Sequence, residues 1–92
     1  NGYIYAKYDN LRRFFMETVT EQVGRRIMLR RTLLRMRQGE LADKAGLSQS
    51  HLSNMEMGAR SIDLEKLAAI ARVLKCRMAD LLPESEGGQK AA

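Results

Sequence analysis

The chain has 92 residues, with 16 Lys or Arg against 11 Asp or Glu, giving a formal net charge of +5. That length supports one small domain, near the lower limit at which a single core suffices without a metal or disulfide staple. A lone cysteine, Cys76, rules out an intramolecular disulfide, the Cys and His content offers no metal-ligand spacing, and no apolar run approaches the roughly 18 residues of a membrane span. With no basic stretch leading into an apolar one at the start, the expectation is a soluble cytoplasmic protein without metal or cofactor, in which Cys76 is a small core residue.

Residues 1–22 read as an N-terminal arm followed by an amphipathic helix. Tyr3, Ile4, Tyr5 and Tyr8 show no helical period and fit either an extended arm or an ordered leader. After Asp9 or Asn10, either of which can cap a helix, Leu11, Phe14, Phe15, Thr18 and Val19 recur at intervals of three and four. Both phenylalanines of the chain lie here, so this face either packs on its own domain as a sixth helix or meets a second subunit. Met16 is an alternative natural start. Thr18 and Glu21 stand at capping-box spacing, which predicts a helix restarting at Val19; one long helix from Asn10 is the other reading.

A helical domain is expected over residues 23–83. Its first helix, Val23 to about Arg35, faces inward with Val23, Ile27 and Leu34, and with Leu33 as a further candidate. Arg25, Arg26, Arg30, Arg31, Arg35 and Arg37 fall in a stretch, residues 23–38, that contains no acidic residue. Such a stretch suits either a solvated helix face or a polyanionic partner.

From Gln38 to Met57 the sequence QGELADKAGLSQSHLSNMEM holds two short helical patterns joined by a glycine. Leu41, Ala42 and Ala45 share one face; Gly46 interrupts; Leu47, Leu52 and Met55 continue the apolar line. Gly46 admits the positive φ of a sharp turn, and the Ser48 hydroxyl is placed to accept from an unpaired amide of the next helix. Small Ala42 lets the two axes approach. Gln49, Ser50, Ser53 and Asn54 are left facing outward, as amide and hydroxyl side chains that donate and accept at base edges without the cost of desolvating a charge. Next, Gly58 closes the helix, Ala59 to Ile62 form a loop, and Asp63 caps a helix whose apolar face is Leu64, Leu67, Ala68, Ile70, Ala71 and Leu74. Met78, Leu81 and Leu82 form a last short helix stopped by Pro83. Residues 84–92, ESEGGQKAA, have no apolar content to bury and read as a disordered tail.

From about Val23 to Leu82 the chain resembles the Cro/CI-type (XRE-family) helix-turn-helix regulators. Gln38 opens the first motif helix, Ala42 sits at the crossing, Gly46 is the turn, Leu52 and Met55 are the anchors, and Glu56 with Gly58 closes the recognition helix. Three positions depart from the family pattern. Arg37 stands where Ser, Thr or Asn usually caps; Gly39 lies inside the first turn, at about 1 kcal/mol against Ala; and Lys75 replaces a frequent Gly. The fold this resemblance implies is all-α, a five-helix lambda-repressor-like domain with an extra N-terminal helical segment.

The resemblance further implies sequence-specific binding of double-stranded DNA, with helix 48–57 in the major groove and Gln49, Ser50, Ser53 and Asn54 at base edges. Arg37, Gln38, Lys44, His51 and Arg60 are the candidate phosphate contacts. In the family a basic residue at the position of Arg31 pairs with the glutamate ending the recognition helix, here Glu56; a carboxylate there opposes the helix dipole and needs a guanidinium partner if buried. One recognition helix covers few base pairs, so a homodimer on a palindromic operator is expected, formed through the last two helices or the aromatic N-terminal helix. Within this class a repressor, a restriction-modification controller and an autoregulating antitoxin stay open. The alternative from another class is a protein-interaction module using the Phe14 and Phe15 face. No paired carboxylates, nucleophile with base, or phosphate loop can be assembled, so no enzyme is expected.

Overall fold

Thr18 sets where the first helix begins. Its extended backbone precedes the helix, its Oγ1 accepts from the Glu21 amide at 3.2 Å, and the Glu21 carboxylate accepts from the Thr18 amide at 3.0 Å. This reciprocal capping box satisfies two amides that a helix start otherwise leaves unpaired. The structure, a computed structural model, describes residues 17–58 and 61–83. Among these lie five helices and no strand: α1 (Val19–Leu33), α2 (Gln38–Ala45), α3 (Gln49–Glu56), α4 (Leu64–Val73) and α5 (Met78–Leu81). The all-α architecture is the expected one. Helix α1 starts at the capping box and runs through Val23 without a break. The N-terminal arm with Leu11, Phe14 and Phe15, the loop residue Arg60 and the tail at 84–92 lie outside the described residues.

One core joins all five helices. Val23 and Ile27 enter it from α1, Leu41 and Ala42 from α2, Leu52 and Met55 from α3, Leu67, Ile70 and Ala71 from α4, and Leu81 from α5, with Leu74 just past α4. Each is at most 3% exposed. Full burial of a side chain as large as Leu or Ile contributes about 1.5–3 kcal/mol, so this cluster carries the fold. Met36, Leu47, Ile62 and Cys76 pack around it as half-buried residues. Burial pushes the Cys76 thiol above its ordinary pKa, which suits a packing role.

Three helix ends follow one design. After α1, Arg35 takes the left-handed conformation, and the amides of Arg35 and Met36 donate back to the carbonyls of Thr32 and Arg31. Gly46 does the same after α2 and Lys75 after α4. These 6→1 and 5→2 pairs are Schellman turns, which reverse the chain while satisfying the last carbonyls. At α4 the start is equally defined, since the Asp63 carboxylate accepts from the amides of Glu65 and Lys66.

The structure corrects three of the expected inward residues. Leu33 is 81% and Leu34 46% exposed, because Leu33 stands about 120° around the helix from Ile27 and Leu34 is the cap at which the chain turns away. Leu64 is 64% exposed: as the first residue of α4 it lies a full turn ahead of buried Leu67. Leu82 drops out of α5 into extended backbone, as the residue before a proline tends to do.

Candidate nucleic-acid interface

The geometry of α3 follows from its ends and its anchored face. Ser48, in extended conformation, accepts from the His51 amide at 3.0 Å through its hydroxyl, which caps the helix. Leu52 and Met55 hold the inner face in the core. On the other side Gln49, Ser50 and Asn54 are exposed and Ser53 is half-buried. Upstream, Gly46 has φ 74°, and a Cβ there would meet nothing within 4 Å. Glycine is favoured at that turn for its backbone conformation, not for space.

Gly24 is required for the opposite reason, and the sequence reading missed it. It is buried inside α1, and a Cβ there would strike the Met55 carbonyl and come within 2.7 Å of the Glu56 carbonyl. The backbones of α1 and α3 therefore touch at this point. A glycine in mid-helix, costing about 1 kcal/mol against Ala, was the available signal.

Behind the C-terminus of α3 lies a part-buried polar chain. Arg31 Nε donates to Glu56 Oε2 at 2.7 Å and Arg31 Nη2 donates to Glu56 Oε1 at 3.0 Å, a bidentate pair with side chains 15% and 4% exposed. Arg31 Nη1 also donates to the Met36 carbonyl at 2.9 Å. The Glu56 hydrogen bond raises the Arg31 pKa above its ordinary value. Gln38 Nε2, at the first position of α2, donates to Glu56 Oε1 at 3.0 Å, and Gln38 Oε1 accepts from Gln49 Nε2 at 3.4 Å. Sequence reading paired Arg31 with Glu56 but did not see that Gln38 carries the chain on to Gln49. Gly39 contributes space: a Cβ there would sit 3.3 Å from Gln49 Oε1, so its absence lets the Gln49 carboxamide lie over the start of α2.

Two shallow surface depressions share Gln38 and Gln49. One is lined by these two with Ser50, Ser53 and Asn54. The other runs along α2 and includes Arg37, Gly39 and Lys44. Arg37 is the exposed residue before α2 and makes no side-chain capping bond, so the first amides of α2 receive nothing from it. Lys44 pairs with Glu40 at 3.2 Å across one turn, an exposed contact. His51 is half-buried on the first turn of α3. Arg60 lies outside the described residues.

Residues 27–81, more than half of the chain, match the family model described as helix-turn-helix. The chain belongs to the helix-turn-helix family. Among solved structures it is similar to the clp gene regulator ClgR from Corynebacterium glutamicum, at 26% identity and TM-score 0.67, covering 70% of this chain and 68% of that one. It is also similar to the restriction-modification controller protein C.AhdI from Aeromonas hydrophila, at 27% identity and TM-score 0.65, covering 67% of this chain and 94% of that one. A third similarity is to SinR, the master regulator for biofilm formation, in complex with DNA: 30% identity, TM-score 0.62, and 64% and 95% of the two chains. The chain matches none of the curated proteins with which it was compared. The arrangement of α1 to α5 is thus the lambda-repressor-like one. Among the described residues no helix is long and apolar enough to cross a membrane, and no three His, Cys, Asp or Glu are grouped to hold a metal ion.

Proposed function

We propose that this helix-turn-helix chain is a sequence-specific DNA-binding transcriptional regulator, a repressor or operon controller, that reads the major groove with α3. The observation that carries the proposal is the outward edge of α3. Gln49, Ser50, Ser53 and Asn54 form an uncharged polar edge on a capped helix, with Gln38 beside them, while the opposite face is locked in the core. A solvated helix has no need of a row of amides and hydroxyls; base edges do, since Gln and Asn each pair two-pronged with adenine. Of these, Gln49 and Asn54 carry the sequence information, while Ser50 and Ser53 make shorter-range contacts.

Phosphate contacts set the register without reading sequence. The uncapped amides at the start of α2, the free hydrogen of Gln38 Nε2, and Arg37, Lys44, His51 and Arg60 provide them. The excess of basic residues, a net +5, raises the association rate with a polyanion. Because a single α3 spans few base pairs, the functional unit is a homodimer on a palindromic operator with half-sites about 34 Å apart or a multiple of that.

The test is selection of bound duplexes from a random pool, which returns the site, its symmetry and its spacing together. The expected result is an inverted repeat, with Gln49→Ala or Asn54→Ala relaxing preference at single positions by about 1–3 kcal/mol, and with affinity falling steeply between about 50 and 200 mM salt. Binding that ignores salt, or a pool that yields no site, overturns the proposal.

A further inference from the structure

We propose that Glu56 is a positioning residue for base recognition: acting through Gln38, it sets the Gln49 carboxamide to take adenine and refuse guanine. The inference rests on the DNA-binding reading above and names the base that Gln49 selects. The Glu56 side chain is 4% exposed and, as a carboxylate, only accepts hydrogen bonds. Its Oε1 accepts from Arg31 Nη2 at 3.0 Å and from Gln38 Nε2 at 3.0 Å. With its nitrogen committed there, Gln38 turns its oxygen to Gln49, whose Nε2 donates at 3.4 Å. A second feature favours the same orientation. Gln49 Oε1 lies over Gly39, the second residue of α2, 3.3 Å from where a Cβ would stand, and the partial positive charge at a helix start suits an oxygen.

That orientation separates the two purines. In the major groove adenine offers an acceptor at N7 and a donor at N6, whereas guanine offers two acceptors, N7 and O6. Once Gln49 has given one hydrogen to Gln38 it keeps one hydrogen and its oxygen, the complement of adenine. Against guanine the same oxygen meets O6, acceptor to acceptor. In the reversed series Gln38 would offer a hydrogen, Gln49 would spend its oxygen on it, and both Gln49 hydrogens would be left for guanine. A glutamine by itself has both orientations open. Here the choice is made by an acceptor-only group inside the domain, which Arg31 holds in place from the far side with two hydrogen bonds.

Two measurements on the full chain decide it. The first needs no DNA: in nitrogen-edited NMR of the free protein, the Gln49 side-chain amide signals stand apart from those of a glutamine in an unfolded peptide. They move toward the unfolded position in Gln38→Met, which leaves the Arg31–Glu56 pair intact, and shift in Glu56→Gln, which puts a donor where only an acceptor stood. Gln49 signals at the unfolded position in the wild type, or unmoved in both variants, overturn the proposal. The second compares binding of duplexes that differ only by adenine or guanine at the base Gln49 meets. The wild type prefers adenine, and both variants lower that preference by about fivefold or more while the preference at the base met by Asn54 stays. A wild type that prefers guanine, or variants that weaken every duplex by one factor, overturn it. A chain that binds no duplex overturns the DNA-binding reading and the adenine preference together, and the amide signals then report separately whether the internal series exists.

Discussion

Replacing Arg31 by Met tests whether the polar chain behind α3 is held by charge. Glu56 is 4% exposed and accepts two hydrogen bonds from Arg31 and one from Gln38. Arg31→Met removes the two charged bonds and leaves a buried carboxylate with one neutral donor, in addition to freeing the Met36 carbonyl. Breaking one side of a buried pair costs about 3–5 kcal/mol, and the 15% exposure of Arg31 admits some water and places the cost near the lower figure. Removing both partners with Arg31→Met and Glu56→Met leaves no buried charge, so the double variant lies within about 1 kcal/mol of wild type. The two single costs should then fail to add by about 2 kcal/mol or more. Urea unfolding of the four proteins reads this directly: with a slope near 1 kcal/mol per M, Arg31→Met moves the midpoint down by roughly 3 M. A midpoint shift under about 0.5 M, or single costs that simply add, would refute a buried, charge-dependent anchor.

Lys75 and Arg35 hold left-handed conformations at φ 58° and 56°, where glycine is unstrained. Lys75→Gly should therefore raise stability by about 0.5–1 kcal/mol, a thermal midpoint a few degrees higher, and a lower midpoint would contradict the strain argument. Gly24→Ala should cost about 2–3 kcal/mol or more, since its Cβ meets backbone carbonyls that cannot give way; unfolding indistinguishable from wild type would disprove the contact. Asp63 is held below its ordinary pKa of 3.8 chiefly by the Glu65 amide, and Asp80 likewise by the Arg77 amide. A depressed carboxylate contributes stability above its ordinary pKa and loses it as pH falls through the folded value. The acid limb below about pH 4 should thus be flatter in Asp63→Asn with Asp80→Asn, and an unchanged limb rejects these caps as its source.

The helices and most of the core were legible because each is a local pattern with one physical meaning. Ser48, Asp63 and the Thr18–Glu21 pair announce helix starts by chemistry, and Leu67, Ile70, Ala71 and Leu74 recur at a single period. Periodicity failed at Leu34 and Leu64 because it reports the side of a helix and not how far along the helix the core extends, whereas Leu33 stands off the core-facing line altogether. Gly24 was illegible as a contact: its meaning lies in carbonyls more than thirty residues away. In the candidate site, the outward position of Gln49, Ser50 and Asn54 could be read from spacing alone. The hydrogen bonds through Gln38 could not, because nothing local to α2 says that its first side chain reaches the end of α3.

That chain of bonds has a direction, and the direction decides what α3 presents. Glu56 as a carboxylate only accepts, so the Gln38 carboxamide must turn its nitrogen toward it. The Gln38 oxygen then faces Gln49, and only the Gln49 nitrogen can meet it without placing oxygen against oxygen. A flip that is ordinarily free on an exposed glutamine is thereby set from the buried end. Each amide nitrogen has two hydrogens, so Gln38 keeps one outside this series, and Gln49 keeps one together with its whole oxygen. A donor and an acceptor side by side are what the adenine edge demands in the major groove. The last link, at 3.4 Å, is the weakest of the series, so the orientation is biased and not locked. Loss of the anchoring charge at Arg31 should therefore reach Gln49 through loss of that bias, which on the proposed DNA-binding reading is a change in base preference separate from any change in stability.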